Sequence, residues 1–252
     1  MNRATYPVIQ AVLFDFYDTL ACFNPDKAGP LRRRAAQALG LPAEAYFGAW
    51  RRHVDAFMRG EIDSTGAMVR RILTDLGRDA PQTAVAEAAR LEELARQRAV
   101  QLYPGARAVL RSLRQRGYRL GLVSNVSPLA AGPLDRLGLR GYFDAVILSF
   151  EVGLLKPDPA IFGLACARLG VAPAECAFVA DGGFGELDAA AALGMFAVRV
   201  RLPHQHPDYG ESRQWDLEID DLRALLAIFP GRRPGRGSHN RSPAPSRPAP
   251  RH

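Results

Sequence analysis

The stretch that decides the fold is AVLFDFYDTL, residues 11–20. Its apolar run from Ala11 to Phe14 ends on a carboxylate, Asp15, and the aromatic Tyr17 follows two residues later. A short apolar run bounded by polar residues is typical of a buried strand. A carboxylate at the end of such a strand indicates a catalytic group, and the effect of Tyr17 on that group is the main question that the stretch raises.

Four further apolar runs predict strands, and segments with helical periodicity lie between them. These runs are YRLGLVSN, FDAVILSF, CAFVAD and MFAVRV. Of the helical segments, residues 105–117 place Val109, Leu110 and Leu113 on one face, and residues 159–170 repeat that design. Strands that alternate with helices predict the α/β class, with a Rossmann-like parallel sheet covered on both faces.

The pattern changes to helices alone between residues 21 and 103, where no strand is convincing. Four amphipathic segments occupy this region, namely KAGPLRRRAAQALG, AEAYFGAWRRHVDAFMRG, STGAMVRRILTDLG and TAVAEAARLEELARQRAV. A helical block that follows the first strand of a sheet is typical of an inserted domain. We therefore predict a helical cap domain, residues 21–103, inserted into a core formed by residues 1–20 and 104–229.

The net charge of +7 on 252 residues is concentrated at one end of the chain. Six arginines and no acids lie within residues 231–252, which also contain no large apolar residue. Such a segment cannot bury enough surface to offset its ordering entropy, so residues 230–252 are predicted to be a disordered basic tail. A basic tail is not a basic binding face, and we expect no specific nucleic-acid partner.

The remaining composition predicts a cytoplasmic protein without a membrane partner. The three cysteines are odd in number and follow no C-x-x-C pattern, which suits a reducing compartment. The first residues lack the apolar stretch and the cleavage site of a signal peptide. No run of about 18 apolar residues predicts a membrane span.

Polar residues stand at the carboxyl ends of the predicted strands, which is where open α/β sheets bind ligands. In chain order these residues are Asp15, Thr19, Ser124, Asn125, Lys156, Asp181 and Glu186. Each residue alone is a weak signal, since a Ser-Asn pair after a strand is more often a turn or a helix cap. Their convergence on one crevice predicts a site for a small-molecule substrate.

The order of these motifs resembles the haloacid dehalogenase-like hydrolase superfamily. The motifs are Asp-x-x-x-Thr-Leu, Ser-Asn, Lys-Pro-Asp-Pro, and Asp-Gly-Gly with an acid five residues after its Asp. The resemblance extends over residues 11–200 and is closest to the subfamily whose helical cap lies between the first and second motifs. It implies a hydrolase in which a cap closes over a Rossmann-like core.

The resemblance also implies a nucleophile and a metal site. Asp15 would attack phosphorus and form an aspartyl-phosphate, which divides one difficult displacement into two easier ones. Mg²⁺ prefers oxygen ligands and bridges carboxylates to phosphate. Its ligands would be Asp15, the backbone carbonyl of Tyr17 and Asp181, with Glu186 bound directly or through water.

The same resemblance assigns the groups that hold the phosphoryl oxygens. The hydroxyls of Thr19 and Ser124 would bind these oxygens, together with Asn125 and nearby backbone N–H groups. Lys156 would be a point charge that stabilises the negative charge developing in the transition state.

Tyr17 departs from the phosphatase pattern, in which a second aspartate at this position protonates the leaving group. An unperturbed phenol has a pKa of about 10, so Tyr17 replaces that acid poorly, and loss of a general acid costs about 10²- to 10⁴-fold. Asp18 is a less favoured substitute, because consecutive side chains leaving a strand point in opposite directions.

Three functions follow from these motifs. The leading one is a Mg²⁺-dependent phosphatase for a small phosphorylated metabolite. The first alternative is a metal-free 2-haloacid dehalogenase, in which a tyrosine occupies position 17; the acids Asp181 and Glu186 oppose it, as does Phe162, where that pattern has another tyrosine. The second alternative is a pseudoenzyme that binds a phosphorylated ligand without turnover.

Overall fold

The computed structural model describes residues 8–203 and 212–231. The predicted basic tail therefore lies almost wholly outside the described residues. Among the residues that are described, no helix is both long and apolar enough to cross a membrane.

Strands and helices alternate through most of the chain. The strands are β1 (Ala11–Phe14), β2 (Ala21–Phe23), β3 (Val100–Leu102), β4 (Arg119–Ser124), β5 (Ala145–Leu148), β6 (Cys176–Ala180), β7 (Phe196–Val200) and β8 (Leu217–Ile219). The helices are α1 (Pro25–Ala38), α2 (Ala43–Arg52), α3 (Val54–Met58), α4 (Thr65–Asp75), α5 (Gln82–Ala99), α6 (Ala106–Gln115), α7 (Ala131–Arg136), α8 (Ser149–Val152), α9 (Pro159–Leu169), α10 (Glu186–Ala192) and α11 (Leu225–Ile228).

Six of the strands form one parallel sheet in the order β5-β4-β1-β6-β7-β8 within the described residues. β1 lies between β4 and β6, and Phe14 at its end pairs with Leu122 on one side and Val179 on the other. The Rossmann-like parallel core is confirmed, as are the five predicted strands. Sequence analysis missed β8, which has only three residues and forms the edge of the sheet.

Helices cover both faces of this sheet because the buried side chains of β1 alternate between them. Val12 and Phe14 belong to one apolar cluster, which includes Val109 and Leu113 of α6. Leu13 points to the opposite cluster, where α9 and α10 pack. A strand buried on both faces reads as a continuous apolar run, which is why β1 was visible in the sequence.

The helices α1 to α5 form a second apolar cluster, which we call the cap cluster. Its largest fully buried side chains include Tyr46, Phe57, Met68 and Ile72. The cluster fits the predicted helical cap, whose boundaries at residues 21 and 103 stay a prediction.

The expectation that residues 21–103 contain no strand is wrong. β2 and β3 pair in an antiparallel manner where the chain leaves the core and returns to it, with Ala21 opposite Leu102 and Phe23 opposite Val100. Each strand has three residues, and its partner lies almost 80 residues away. Such a pair has no local signal, because its hydrogen bonds exist only after the helices between the strands have packed.

One predicted helix is two helices in the structure. The segment AEAYFGAWRRHVDAFMRG divides at His53, which ends α2 and precedes α3. The Nε2 atom of His53 lies 2.6 Å from Oδ2 of Asp75 at the end of α4. This contact joins two helices that are separate in the sequence. The residues around His53 therefore gave no local signal of the break.

Gly60 is a point of close contact between the cap and the core. It follows α3 with a φ of +74°, and a Cβ atom built on it would collide with the backbone carbonyl oxygen of Phe150 in α8. Only glycine combines that left-handed backbone with so close an approach.

Gly60→Ala is therefore expected to destabilise the protein by about 1–3 kcal/mol, because overpacking against backbone cannot relax easily. Urea unfolding measures the change. The matched control is Gly48→Ala within α2, where an added Cβ would meet nothing within 4 Å. That control should stabilise the protein by up to about 1 kcal/mol through helix propensity. Equal stability of Gly60→Ala and the wild type would contradict the close contact.

Candidate active site

The polar residues at the strand ends meet at one edge of the sheet. Asp15 follows β1, Ser124 ends β4, and Asp181 follows β6. Because β1 lies between β4 and β6, these side chains lie together at the point where the strand order reverses direction. Open α/β sheets usually bind their ligands at this switch point. They line a cavity of about 480 Å³ whose opposite wall is formed by the cap.

Asp15 is held by two donors that converge on the same oxygen. The Ser124 hydroxyl donates a hydrogen bond to Oδ1 at 2.9 Å, and the Lys156 ammonium donates to the same atom at 2.6 Å. Asp15 is only 6% exposed, so both contacts lie in a low-dielectric environment. The carboxylate is thereby oriented and largely shielded from water.

Lys156 connects two carboxylates across the floor of the cavity. Its ammonium forms ion pairs with Asp15 and with Glu186, the first residue of α10. Burial alone would lower the pKa of Lys156, but the two carboxylates outweigh it and raise the pKa to about 12. The side chain therefore stays protonated as a fixed positive charge.

Asn125 holds the backbone of the Lys156 loop. Its side-chain amide donates to the carbonyl oxygen of Lys156 at 2.8 Å, and its Oδ1 accepts from the backbone N–H of Lys156 at 2.7 Å. The sequence predicted a substrate-binding role for Asn125, which stays a prediction. The structure places it in the cavity wall and adds a positioning role that its Ser-Asn motif did not reveal.

Three carboxylates form a compact cluster at the same edge. One ligand oxygen from each of Asp15, Asp181 and Glu186 lies within 4.8 Å of the others. Burial, followed by the charge of Asp15, raises the pKa of Asp181 to about 7. Burial raises the pKa of Glu186 well above its ordinary range. An all-oxygen donor set of mutually repelling acids fits a hard divalent cation, so these residues could hold a metal ion.

The residues after Asp15 are divided between the cavity and the core. The side chain of Tyr17 lines the cavity, and its ring lies 4.7 Å from that of Phe16, centroid to centroid. Asp18 also lines the cavity and has a φ of +57°. Thr19 is fully buried and is not among the lining residues, and its hydroxyl has no hydrogen-bond partner among the described residues.

The proton of Tyr17 is held more tightly than that of a free phenol. Burial raises the pKa of Tyr17, and the charges of Asp15 and Asp18 act in the same direction. Arg96, whose guanidinium carbon lies 5.6 Å from the centroid of the Tyr17 ring, opposes the shift without reversing it. Tyr17 is thus a neutral phenol beside the nucleophile candidate.

The residues at the end of α2 have different positions. Trp50 and Arg51 line the cavity. Arg52 instead donates to Asp75 at 3.3 Å, on the side where His53 also binds this carboxylate. Sequence analysis missed Arg32 and Arg96, which line the cavity too but belong to no motif.

Asp188, which follows the same Gly-rich turn as Glu186, serves a different purpose. Its Oδ1 accepts hydrogen bonds from the backbone N–H groups of Arg213 and Gln214 at 2.8 and 2.6 Å. It anchors the segment that leads into β8. The structure thus separates two acids that the sequence places two residues apart.

A Rossmann-like parallel sheet, with an acid-lined crevice at its strand ends and a helical cap above it, points to a hydrolase that closes a cap over its substrate. The family model described as haloacid dehalogenase-like hydrolase matches residues 9–194. The chain belongs to the haloacid dehalogenase-like hydrolase family, as its motifs predicted.

Individual relatives agree with this membership. The chain is 31% identical to a glyceraldehyde 3-phosphate phosphatase of Methanopyrus kandleri, over 88% of this chain and 97% of the relative. It is 32% identical to a plasmid-encoded phosphoglycolate phosphatase of Cupriavidus necator, over 87% and 92%. Among solved structures, a 2-haloacid dehalogenase from Pseudomonas syringae pv. Tomato is 27% identical, with a TM-score of 0.67, over 87% of this chain and 97% of that one.

Asn125→Ala is expected to reduce stability by about 1–3 kcal/mol, because it leaves the backbone N–H and C=O groups of Lys156 without their partners. Chemical unfolding measures this loss. Ser127→Ala is the control, since Ser127 lines the same cavity and its hydroxyl bonds to no described residue. An Asn125→Ala protein no less stable than this control would show that the loop does not depend on the amide.

Proposed function

We propose that the chain is a Mg²⁺-dependent phosphatase that acts on a small phosphorylated metabolite through an aspartyl-phosphate on Asp15. The observation that carries this proposal is the cluster of Asp15, Asp181 and Glu186. Lys156 supplies one positive charge to it, which cannot balance three clustered carboxylates and an incoming phosphate. A divalent cation supplies the missing charge.

The relatives favour a phosphatase over a dehalogenase. The two relatives described above, at 31% and 32% identity, are phosphatases, whereas the dehalogenase is 27% identical. Phe162 supports the same choice. Its ring is fully buried and packs edge-on against that of Phe178 at 5.0 Å, so this position offers no hydroxyl to a substrate.

The metal ligands in this proposal are Asp15, the backbone carbonyl of Tyr17, Asp181 and Glu186. When bound, Mg²⁺ neutralises charge on the phosphoryl oxygens and lets two negative groups approach each other.

The protein groups prepare Asp15 for attack. Ser124 and Lys156 both occupy Oδ1, which leaves Oδ2 to form the bond to phosphorus as the bond to the leaving oxygen breaks. Lys156 stays protonated and stabilises charge on the phosphoryl group. Water then attacks phosphorus, releases phosphate and restores Asp15. The binding of phosphoryl oxygens by Thr19 stays a prediction; its side chain is fully buried, and its hydroxyl has no hydrogen-bond partner among the described residues.

Tyr17 decides which leaving groups are accepted. A buried neutral phenol with a raised pKa is a poor donor to a leaving alkoxide. Leaving groups that depart without a proton avoid this cost, and acyl and aryl phosphates carry such groups. Tyr17 therefore redirects the chemistry towards activated phosphates and does not abolish it.

The direct test is phosphate release from acetyl phosphate, p-nitrophenyl phosphate and ethyl phosphate, with 2-chloropropionate as a dehalogenase substrate. We expect Mg²⁺-dependent phosphate release that EDTA and Asp15→Asn abolish. The protein should hydrolyse ethyl phosphate more slowly than acetyl phosphate by at least about 10²- to 10⁴-fold. This factor is the cost of a missing general acid.

Other results would replace this proposal. Chloride release that is insensitive to EDTA and lost in Asp15→Asn would make the protein a dehalogenase. Magnesium binding without turnover of any phosphate would favour the pseudoenzyme. Fast turnover of ethyl phosphate would show that another group, such as the cavity-lining Asp18, protonates the leaving oxygen.

The raised pKa values also predict a pH dependence of metal binding. Asp181, with a pKa of about 7, is partly protonated at neutral pH in the metal-free protein, and burial shifts the pKa of Glu186 in the same direction. A bound cation must displace the proton of Asp181. Magnesium affinity should therefore rise between pH 6 and pH 8, by up to about tenfold per pH unit for each proton displaced.

Calorimetric titration with Mg²⁺ in two buffers of different ionisation enthalpy counts the protons released. Asp181→Asn is the comparison, since it removes one titrating ligand. Affinity that does not change over this pH range would contradict the assignment of Asp181 as a ligand.

A further inference from the structure

The cap wall of the cavity carries arginines, in contrast to the acidic floor. Arg32, Arg51 and Arg96 line this wall, and they come from three different helices, α1, α2 and α5. Positive charges that face an acidic floor across a cavity have two possible purposes. They neutralise cap acids, or they bind a ligand.

Arg32 is neutralised within the cap. Its Nε donates to both carboxylate oxygens of Glu92, at 3.2 and 2.9 Å, and Glu92 is almost fully buried. Its guanidinium also lies over the rings of Phe47 and Trp50, at 4.9 and 5.2 Å from their centroids. Arg32 is thus a structural partner for Glu92.

Arg96 is not neutralised in this way. It lies one helical turn after Glu92 on α5, but Glu92 is engaged by Arg32, and no carboxylate of the described residues lies within 4.0 Å of the Arg96 guanidinium. The guanidinium is half-buried above two cavity-lining rings, 4.5 Å from the centroid of Phe23 and 5.6 Å from that of Tyr17. These rings hold the cation in place while they leave its N–H donors without an acid.

Arg51 extends the same wall towards solvent. It is exposed in the last turn of α2 and forms no ion pair with any described residue. Asp55, one turn later, is exposed on the same wall, so water screens its charge. Arg96 is deeper and beside Tyr17, and it is therefore the principal cation of this wall.

We propose that Arg96, assisted by Arg51, binds a second anionic group of the substrate, a carboxylate or a second phosphate. This inference rests on the proposed phosphatase function and deepens it. The phosphoryl group to be removed would meet Asp15 and Lys156, and the second group would meet the planar guanidinium, whose donors match carboxylate and phosphate oxygens. Tyr17 lies two residues after Asp15, and its ring lies under Arg96. Asp15 and Arg96 are therefore near enough for one small molecule to place an anionic group at each.

Matched aryl phosphates test the inference, because their leaving groups depart without a proton. The first pair is 4-carboxyphenyl phosphate and 4-carbamoylphenyl phosphate, which differ in charge but little in shape. The second pair is 1,4-phenylene bisphosphate and 4-hydroxyphenyl phosphate. The wild type should prefer the anionic member of at least one pair by roughly 10- to 100-fold in kcat/KM, which is the value of a charged hydrogen bond.

Variants of Arg96 connect this preference to the residue. Arg96→Gln should lower the ratio of kcat/KM values to near one, mainly through KM for the anionic member, and Arg96→Lys should keep part of the ratio. Arg98→Gln is the matched control, because Arg98 carries the same charge in the last turn of α5 but is exposed and outside the cavity lining. The pair that shows the effect distinguishes a carboxylate from a phosphate.

A binding measurement separates failure of this inference from failure of the phosphatase proposal. Calorimetry with Asp15→Asn protein and Mg²⁺ measures the affinity for both members of each pair without turnover. A preference that Arg96→Gln removes would support the subsite even if no substrate were hydrolysed. Equal affinity for charged and neutral members would overturn it, as would an Arg96→Gln variant that weakens both members equally.

Discussion

The rest of the site depends on one buried ion pair system, in which Lys156 bridges Asp15 and Glu186. The three residues are 3%, 6% and 1% exposed, so removal of Lys156 leaves two carboxyl groups without their cation in a low-dielectric environment. The carboxylates come from the end of β1 and the start of α10, and the lysine comes from the loop before α9. The sheet must bring these segments together before the charges can offset one another.

The cavity has opposite electrostatic character on its two sides. The floor collects carboxylates around one lysine, as suits a site for a cation and a phosphoryl group. The wall formed by the cap carries arginines, of which Arg32 is used to neutralise the buried Glu92. In the functions that we propose, reaction chemistry and substrate recognition are thereby placed on separate structural units. A cap can change its choice of substrate without disturbing the strand ends that hold Asp15.

Tyr17 connects the two sides, which answers the question raised by its place in the first motif. Its backbone follows the nucleophile candidate, while its ring contacts Phe16 and lies under Arg96. Burial keeps the phenol neutral. In the proposed mechanism an acidic group is not needed at this position. The substrate is an activated phosphate, whose leaving group departs without a proton donor.

The sequence by itself determined the parallel sheet, the helical region after β1 and the polar residues at the strand ends. Those features are encoded in runs of neighbouring residues, since buried strands and amphipathic helices each have a local period. Three features were decided by tertiary structure alone: the β2–β3 pair, the hydrogen bonding of Asn125 to the Lys156 backbone, and the position of Arg96 above Tyr17. Each joins residues more than 30 positions apart, and such contacts have no local pattern because they exist only when the chain has packed.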